Sequence, residues 1–350
     1  MEDKKDEVEK VSKTWSGAWQ IAAVYVGTVV GAGFATGKEI VEFFTQYGTF
    51  GTMGVIVSGG LFTWGGMRMM VMARALRSSS YKQLNDYLFG KSASIVITIV
   101  MTMMVIGVTA VMLSGAGALF EEQLGLSKRV GMFVTLFLLF AVMLYDRKGL
   151  FTVNVLVVPL MLLFSFVLLG KIAIAEKWCV ISSVPNHSWR ALFSPFSYAA
   201  FNLAMAQTVL VPLATEAADE RTVKRGALIG GVILTLILLS SHFVLLSFPY
   251  VLHYDIPMAE IVHTSFVSLH WLYLLIIYGE IFTSLIGGVF GLRRQFHFVS
   301  SSLFFVVVVV LLYAVSSFRY SALLSFLYPL FGYISLLFLF LLALRKIPQS

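Results

Sequence analysis

The chain has 350 residues, of which 59% are hydrophobic and 12% charged, with a mean hydropathy of +0.89. Soluble domains are about 45–50% apolar and about 25% charged, so this composition excludes an ordinary soluble protein and predicts a polytopic membrane protein. The net charge of +7 is spread between apolar blocks, which argues for membrane orientation and against nucleic-acid binding, and the single cysteine, Cys179, excludes an intrachain disulfide or a cysteine-based metal site.

A bilayer span needs about 20 mostly apolar residues. Residues 1–16 form a charged tail of Lys, Asp and Glu without the apolar core of a signal peptide. The first span, 17–46, contains Gly27, Gly31, Gly33 and Gly37. Glycine costs about 1 kcal/mol relative to alanine inside a helix. The cluster has two readings: close helix packing through Gly27-x-x-x-Gly31, or a helix broken around a polar ligand. Gly31 and Gly33 point to different helix faces, which one packing seam does not need.

The next four spans are read at 51–73, 93–117, 130–145 and 150–170. The sixth, 191–215, carries Asn202 and Gln207 at mid-depth and then Pro212. The seventh, 226–250, holds His242, expected as a hydrogen-bonded core residue. The eighth, 268–291, holds Glu280, and 299–317 and 321–344 complete ten spans. Alternate loops and both termini carry most of the 25 Lys and Arg, so the positive-inside rule places both termini in the cytoplasm.

The first span begins near Gly17 and the sixth near Ala191, about half-way along the chain. Two five-span halves must lie inverted relative to each other, and inverted repeats place a site at the midplane where interrupted helices meet. The expected organisation is an all-α polytopic protein with broken helices 1 and 6. It comprises a cytoplasmic tail (1–16), a first repeat (17–173), an extracellular loop (174–190), a second repeat (191–344) and a cytoplasmic tail (345–350).

A carboxylate at membrane depth is costly, which makes Glu280 a functional candidate. Thr283 and Ser284 follow by three and four residues and share its helical face. Oxygen ligands on one face suit a hard cation; the carboxylate could instead carry a proton or be a structural hydrogen-bonding group. Lys38, Glu39 and Glu42 read either as an external vestibule or as a solvated helix end, with Lys38 and Glu42 as i,i+4 partners. The acidic and basic residues from Glu216 to Arg225 read as a cytoplasmic loop. No metalloprotease, Walker A or nucleophile-elbow constellation occurs, and no nucleophile–base pair is evident, so the chain is not expected to be an enzyme.

Ten spans, a broken first helix with Gly-x-Gly, and a Thr-Ser pair in the eighth span resemble the amino acid–polyamine–organocation superfamily and its LeuT-type 5+5 fold. The run Val30-Gly31-Ala32-Gly33-Phe34-Ala35-Thr36-Gly37-Lys38-Glu39 resembles, more narrowly, the YkvI-like bacterial membrane family over essentially the full chain. The resemblance implies a cation site made of the Gly27, Val30 and Glu280 carbonyls and the Thr283 and Ser284 hydroxyls. It also implies substrate contacts from Val29, Gly31, Ala32 and Gly33, faced by the Asn202–Gln207 stretch. Phe34 stands where amino-acid sodium symporters place an amide side chain, so a second sodium site there is not expected. The implied function is Na⁺-coupled symport of a small polar organic solute, such as an amino acid or related amine, in the bacterial plasma membrane. The alternatives are proton coupling through Glu280 and a non-transporting ligand sensor of the germinant-receptor type. Apart from Na⁺ or H⁺ as coupling ion, no cofactor is expected; the partners are the solute and the lipid bilayer.

Overall fold

The computed structural model describes residues 17–144, 163–164, 166–171, 174, 189–296 and 300–348. The first predicted span is interrupted. Helix α1 runs over 17–29, α2 over Ala32–Ala35 and α3 over Lys38–Phe43, followed by a 3₁₀ turn at Thr45–Tyr47. Gly31 between α1 and α2 is extended (φ −110°, ψ −172°), and Gly37 between α2 and α3 is left-handed (φ 79°), a conformation that favours glycine. The break reading of the glycine cluster therefore holds.

Long helices follow: α4 (Thr49–Ala75), α6 (Lys91–Leu124), α7 (Lys128–Leu144), α8 (Trp189–Glu216), α9 (Glu220–Ser247), α11 (His270–Gln295), α12 (Ser301–Ser316) and α13 (Tyr320–Leu344). Six helical segments among the described residues are long and apolar enough to cross a membrane: 49–75, 91–124, 189–216, 220–247, 267–293 and 320–344. The predicted fifth span and the boundary and loop around 174–190 lie mostly outside the described residues.

One expectation is overturned. The sixth span is not broken: α8 is continuous from Trp189 to Glu216 with Pro195 and Pro212 inside it. Membrane helices tolerate proline when neighbouring groups satisfy the freed carbonyls. The prolines' own carbonyls take side-chain donors, Ser58 to the Pro195 carbonyl at 2.9 Å and Thr215 to the Pro212 carbonyl at 2.7 Å. Asn202 is likewise satisfied within the helix, its amide donating to the Tyr198 carbonyl at 3.1 Å.

Two helices come without a sequence expectation. Helix α5 (Tyr81–Phe89) buries Leu84, Asn85 and Leu88, a spacing that places one apolar stripe on the bundle. Helix α10 (Pro257–Ser265) starts on a proline after a 3₁₀ turn at Pro249–His253. Asp219 caps α9 by accepting the Thr222 amide at 2.6 Å, and that bond holds its carboxyl below the usual range. His242 is fully buried between the Thr45 and Thr52 hydroxyls at 3.1 and 3.0 Å, the core role expected of it.

Helix α1 sits against α4 and α9. The Tyr25 hydroxyl donates to the Phe62 carbonyl at 2.8 Å, and its ring fills the space left by Gly66 and Gly230. A Cβ on Gly66 would overlap the Tyr25 hydroxyl oxygen. Gly66→Ala should therefore displace Tyr25 and destabilise the protein by about 1–3 kcal/mol, read as a lower unfolding midpoint in detergent; an unchanged midpoint would contradict this packing.

Candidate ion and solute site

The break exposes main-chain polar groups at a depth where nothing but protein can satisfy them. The Val30 amide donates to the Val26 carbonyl at 2.8 Å, closing the last regular turn of α1. Beyond it the Phe34 and Ala35 amides both turn to the Gly31 carbonyl at 3.0 Å. Among the described residues no backbone amide reaches the carbonyls of Gly27 or Val30, the two main-chain ligands implied for the cation site.

Helix α11 brings its oxygen ligands to this break. A Cβ on Gly31 would lie 3.9 Å from Ser284 Oγ, so the two candidates meet at van der Waals distance. The Thr283 hydroxyl donates to the Glu280 carbonyl at 3.2 Å. Thr283 and Glu280 are both buried, and Glu280 Oε2 has no hydrogen-bond partner. A buried carboxylate without partner or counter-ion is costly, so this group is either neutral or waiting for a cation.

The substrate candidates divide. Val29, Ala32 and Gly33 are buried at the break. Asn202 reaches it from α8, its amide 3.4 Å from Glu39 Oε1. Gln207 does not: its amide faces Met101 Sδ on α6 at 3.5 Å, and its Oε1 is unpartnered. Five residues along a helix turn the side chain about 140° away, so Asn202 and Gln207 cannot serve one site from one face.

Glu39 is the residue that sequence reasoning missed. It is 4% exposed, not a solvated helix end, and its Oε2 occupies the space beside Gly33 where a Cβ would otherwise stand. Tyr198, one turn before Asn202 on α8, is fully buried with its hydroxyl beside Glu39. Helical phase gave no signal that separates Glu39 from Glu42, because the two are three residues apart and lie within about 60° of each other around the helix. The expected Lys38–Glu42 pair does not form. Lys38 Nζ donates to the Leu252 and Tyr254 carbonyls at 3.0 Å each, and Glu42 accepts from Ser325 at 2.7 Å.

Over one end of the break lies the segment 249–265. The Met258 amide donates to the Thr36 carbonyl at 3.1 Å. Glu122, at the end of α6, accepts the Asp255 and Ile256 amides at 2.7 and 3.0 Å. Asp255 in turn accepts the Ser321 amide of α13 at 3.2 Å. Helices α6 and α13 thus hold this segment down on α2 and α3.

An interrupted membrane helix crossed by a polar face of a second helix defines a helical membrane protein of the LeuT fold, and solved structures agree. The chain is similar to the inward-facing conformation of Mhp1 (TM-score 0.66, 12% identity, 93% of this chain and 75% of that one). It is also similar to a mutant of the Eremococcus coleocola manganese transporter (TM-score 0.54, 14% identity, 91% of this chain and 76% of that one). In sequence it is 48% identical to the uncharacterized membrane protein YkvI of Bacillus subtilis (strain 168), covering 95% of this chain and 97% of that protein. It is 21% identical to the uncharacterized protein YyaD of the same organism, over 95% of this chain and 98% of that one. The chain belongs to the YkvI membrane protein family. No protein-family model matches it.

The contact between Gly33 and Glu39 can be isolated by a double-mutant cycle. Gly33→Ala should destabilise by about 1–3 kcal/mol through overpacking. In a Glu39→Ala background, where the carboxyl is gone, the same change should cost much less, giving a coupling of about 1 kcal/mol or more. Additive losses in thermal or chemical unfolding would show that the carboxyl does not lie on Gly33.

Proposed function

We propose that the protein is a secondary active carrier that moves a small polar organic solute, an amino acid or related amine, by alternating access. The observation that carries this reading is the break at Gly31, where among the described residues the Gly27 and Val30 carbonyls accept no backbone amide and Ser284 Oγ of α11 stands 3.9 Å from where a Cβ on Gly31 would lie. Carbonyls and hydroxyls are the ligands a hard monovalent cation requires. In this reading Na⁺ is the coupling ion, bound by the carbonyls of Gly27, Val30 and Glu280 and the hydroxyls of Thr283 and Ser284. The solute sits against Val29, Gly31, Ala32 and Gly33, with Asn202 opposite. The likeness to the Eremococcus coleocola manganese transporter supports the transporter class, and manganese is not carried over to the solute of this chain.

The reading includes ten spans in two inverted halves, both termini in the cytoplasm of a bacterial cell, and the segment 249–265 as an outer cover. A carrier needs such a cover to release when the other side closes, and the bonds from Thr36, Lys38, Glu122 and Ser321 can be broken one by one. A second coupling mode is favoured by one feature: the unpartnered Glu280 Oε2 could take a proton instead of serving beside a metal ion.

Sodium itself is the probe that needs no knowledge of the solute. A ligand that binds only the folded state stabilises it by RT ln(1 + [L]/Kd), about 2.7 kcal/mol at a hundredfold excess over Kd. Na⁺, but not K⁺ or choline at equal ionic strength, should raise the unfolding midpoint of the purified protein. Thr283→Ala with Ser284→Ala should abolish that difference while preserving the fold. An equal response in the double variant removes the sodium assignment; a sodium-independent response to pH that disappears in Glu280→Gln selects the proton mode.

A further inference from the structure

A second site lies far from the break, at the end of the bundle where α4 ends and α9 begins. A cavity of about 810 Å³ opens there between the last turns of α4, the α8–α9 connection and the chain beyond α13. Trp64, Met67 and Val71, joined by Ile347 and Pro348, supply an apolar wall, and Arg68, Arg74 and Arg77 line the same cavity with cations.

The cations are fixed by neutral partners. Arg68 donates to the carbonyls of Leu342, Ala343 and Arg345 at 2.6, 3.1 and 2.8 Å, and Arg74 donates to those of Ala217 and Ala218. Main-chain carbonyls hold a guanidinium in place without cancelling its charge, and each group keeps further N–H donors. Two acidic residues also line the cavity. Glu220 is paired with Lys224 at 2.6 Å, and Asp219 is committed to the Thr222 amide near Arg74. Arg68 and Arg77 are left without an acidic partner, and the Arg77 side chain is exposed with no bond among the described residues.

The dimensions match one kind of ligand. From Trp64 to Arg74 is about 15 Å along the helix, at roughly 1.5 Å per residue. Arg68 is tied to the carbonyls that end α13, and Trp64 lies one turn, about 6 Å, further into the span, the level just beneath a lipid headgroup. Trp64 is 41% exposed and lies within cation–π distance of Arg68, 5.9 Å from guanidinium to ring. A free anion would use only the cations, and a hydrocarbon only the wall. We propose that this groove binds an anionic phospholipid, with the phosphate headgroup at Arg68, Arg74 and Arg77 and an acyl chain along Trp64, Met67 and Val71. The bound lipid would tie α4, the α8–α9 connection and the C-terminal segment together at the membrane surface.

The purified protein in mild detergent can be offered equal phosphatidylglycerol and phosphatidylcholine and followed by native mass spectrometry. Wild type should retain phosphatidylglycerol selectively. A basic residue near an anionic surface contributes about 1 kcal/mol, so Arg77→Gln should weaken retention about fivefold and Arg77→Glu further. Arg77 is exposed, so neither change endangers folding. Trp64→Ala should lower retention through the acyl wall while keeping the headgroup preference. Equal retention of phosphatidylcholine, or unchanged retention in Arg77→Glu, overturns the proposal. So does full competition by millimolar inorganic phosphate together with an unaffected Trp64→Ala, which would leave only a surface anion site.

Discussion

The constraint on which this structure depends is that a backbone opened inside a bilayer must be satisfied by protein, by water or by an ion. Gly31 opens it. The rest of the first span is then built to hold the two ends still. On one side Tyr25 reaches the Phe62 carbonyl and packs on Gly66 and Gly230. On the other, the Thr36 hydroxyl meets Tyr320 at 2.9 Å, Tyr273 meets the Ala35 carbonyl at 3.4 Å and Met258 meets the Thr36 carbonyl. Fixing both ends leaves the Gly27 and Val30 carbonyls with no backbone donor among the described residues. The same glycines serve packing as well, since Gly37 lies against Met258 and Gly33 against Glu39.

The parts of this arrangement that violate a local rule were legible in the sequence. Glycines concentrated in an apolar run announce the break, and a carboxylate in the middle of an apolar helix announces Glu280, because each has a cost that needs a reason. The sixth span shows the limit of such reasoning. Asn202, Gln207 and Pro212 violate the same rules, yet the helix runs through all three: Asn202 donates to the Tyr198 carbonyl one turn back, and Gln207 turns to Met101 on α6. Whether a polar residue breaks a helix or is absorbed by it depends on partners one turn away, and composition does not rank those outcomes.

Glu39 was obscured for a different reason. Beside Lys38 and Glu42 it reads as part of a hydrated cluster, but the left-handed turn at Gly37 restarts the helix and sets a new phase. That phase sends three neighbouring charges to three places: Lys38 to the Leu252 and Tyr254 carbonyls, Glu42 to Ser325, and Glu39 inward to Gly33 and Asn202. A backbone angle at one residue decides which charge enters the membrane interior, and that angle is fixed by tertiary packing against Met258 and Leu245. Helices α5 and α10 escaped notice because short amphipathic segments between spans carry no membrane-length signal.

The break also divides the molecule mechanically. Helix α1 is anchored to α4 and α9, whereas α2 and α3 are anchored to α13, α11 and the segment 249–265, with α8 and α9 also holding the end of α3 and the turn after it through Ser194 and His242. Gly31 is the joint, and among the described residues its only close side-chain neighbour across the gap is Ser284. Under the proposed function, a cation held by carbonyls on the α1 side and hydroxyls on the α11 side would resist separation of the two groups. Its departure would release that restraint and leave the bonds of Thr36, Lys38, Glu122 and Ser321 closing the outer segment. Glu39 lies on the far side of the joint from Gly27 but touches Gly33 and Asn202, so any movement of α2 against α8 changes its surroundings first. Between the Val30 carbonyl and Glu39 lie residues 31–38, and within that stretch Gly37, at φ 79°, holds the one backbone geometry that favours glycine, so the turn that aims Glu39 inward and the break at Gly31 are set by separate residues.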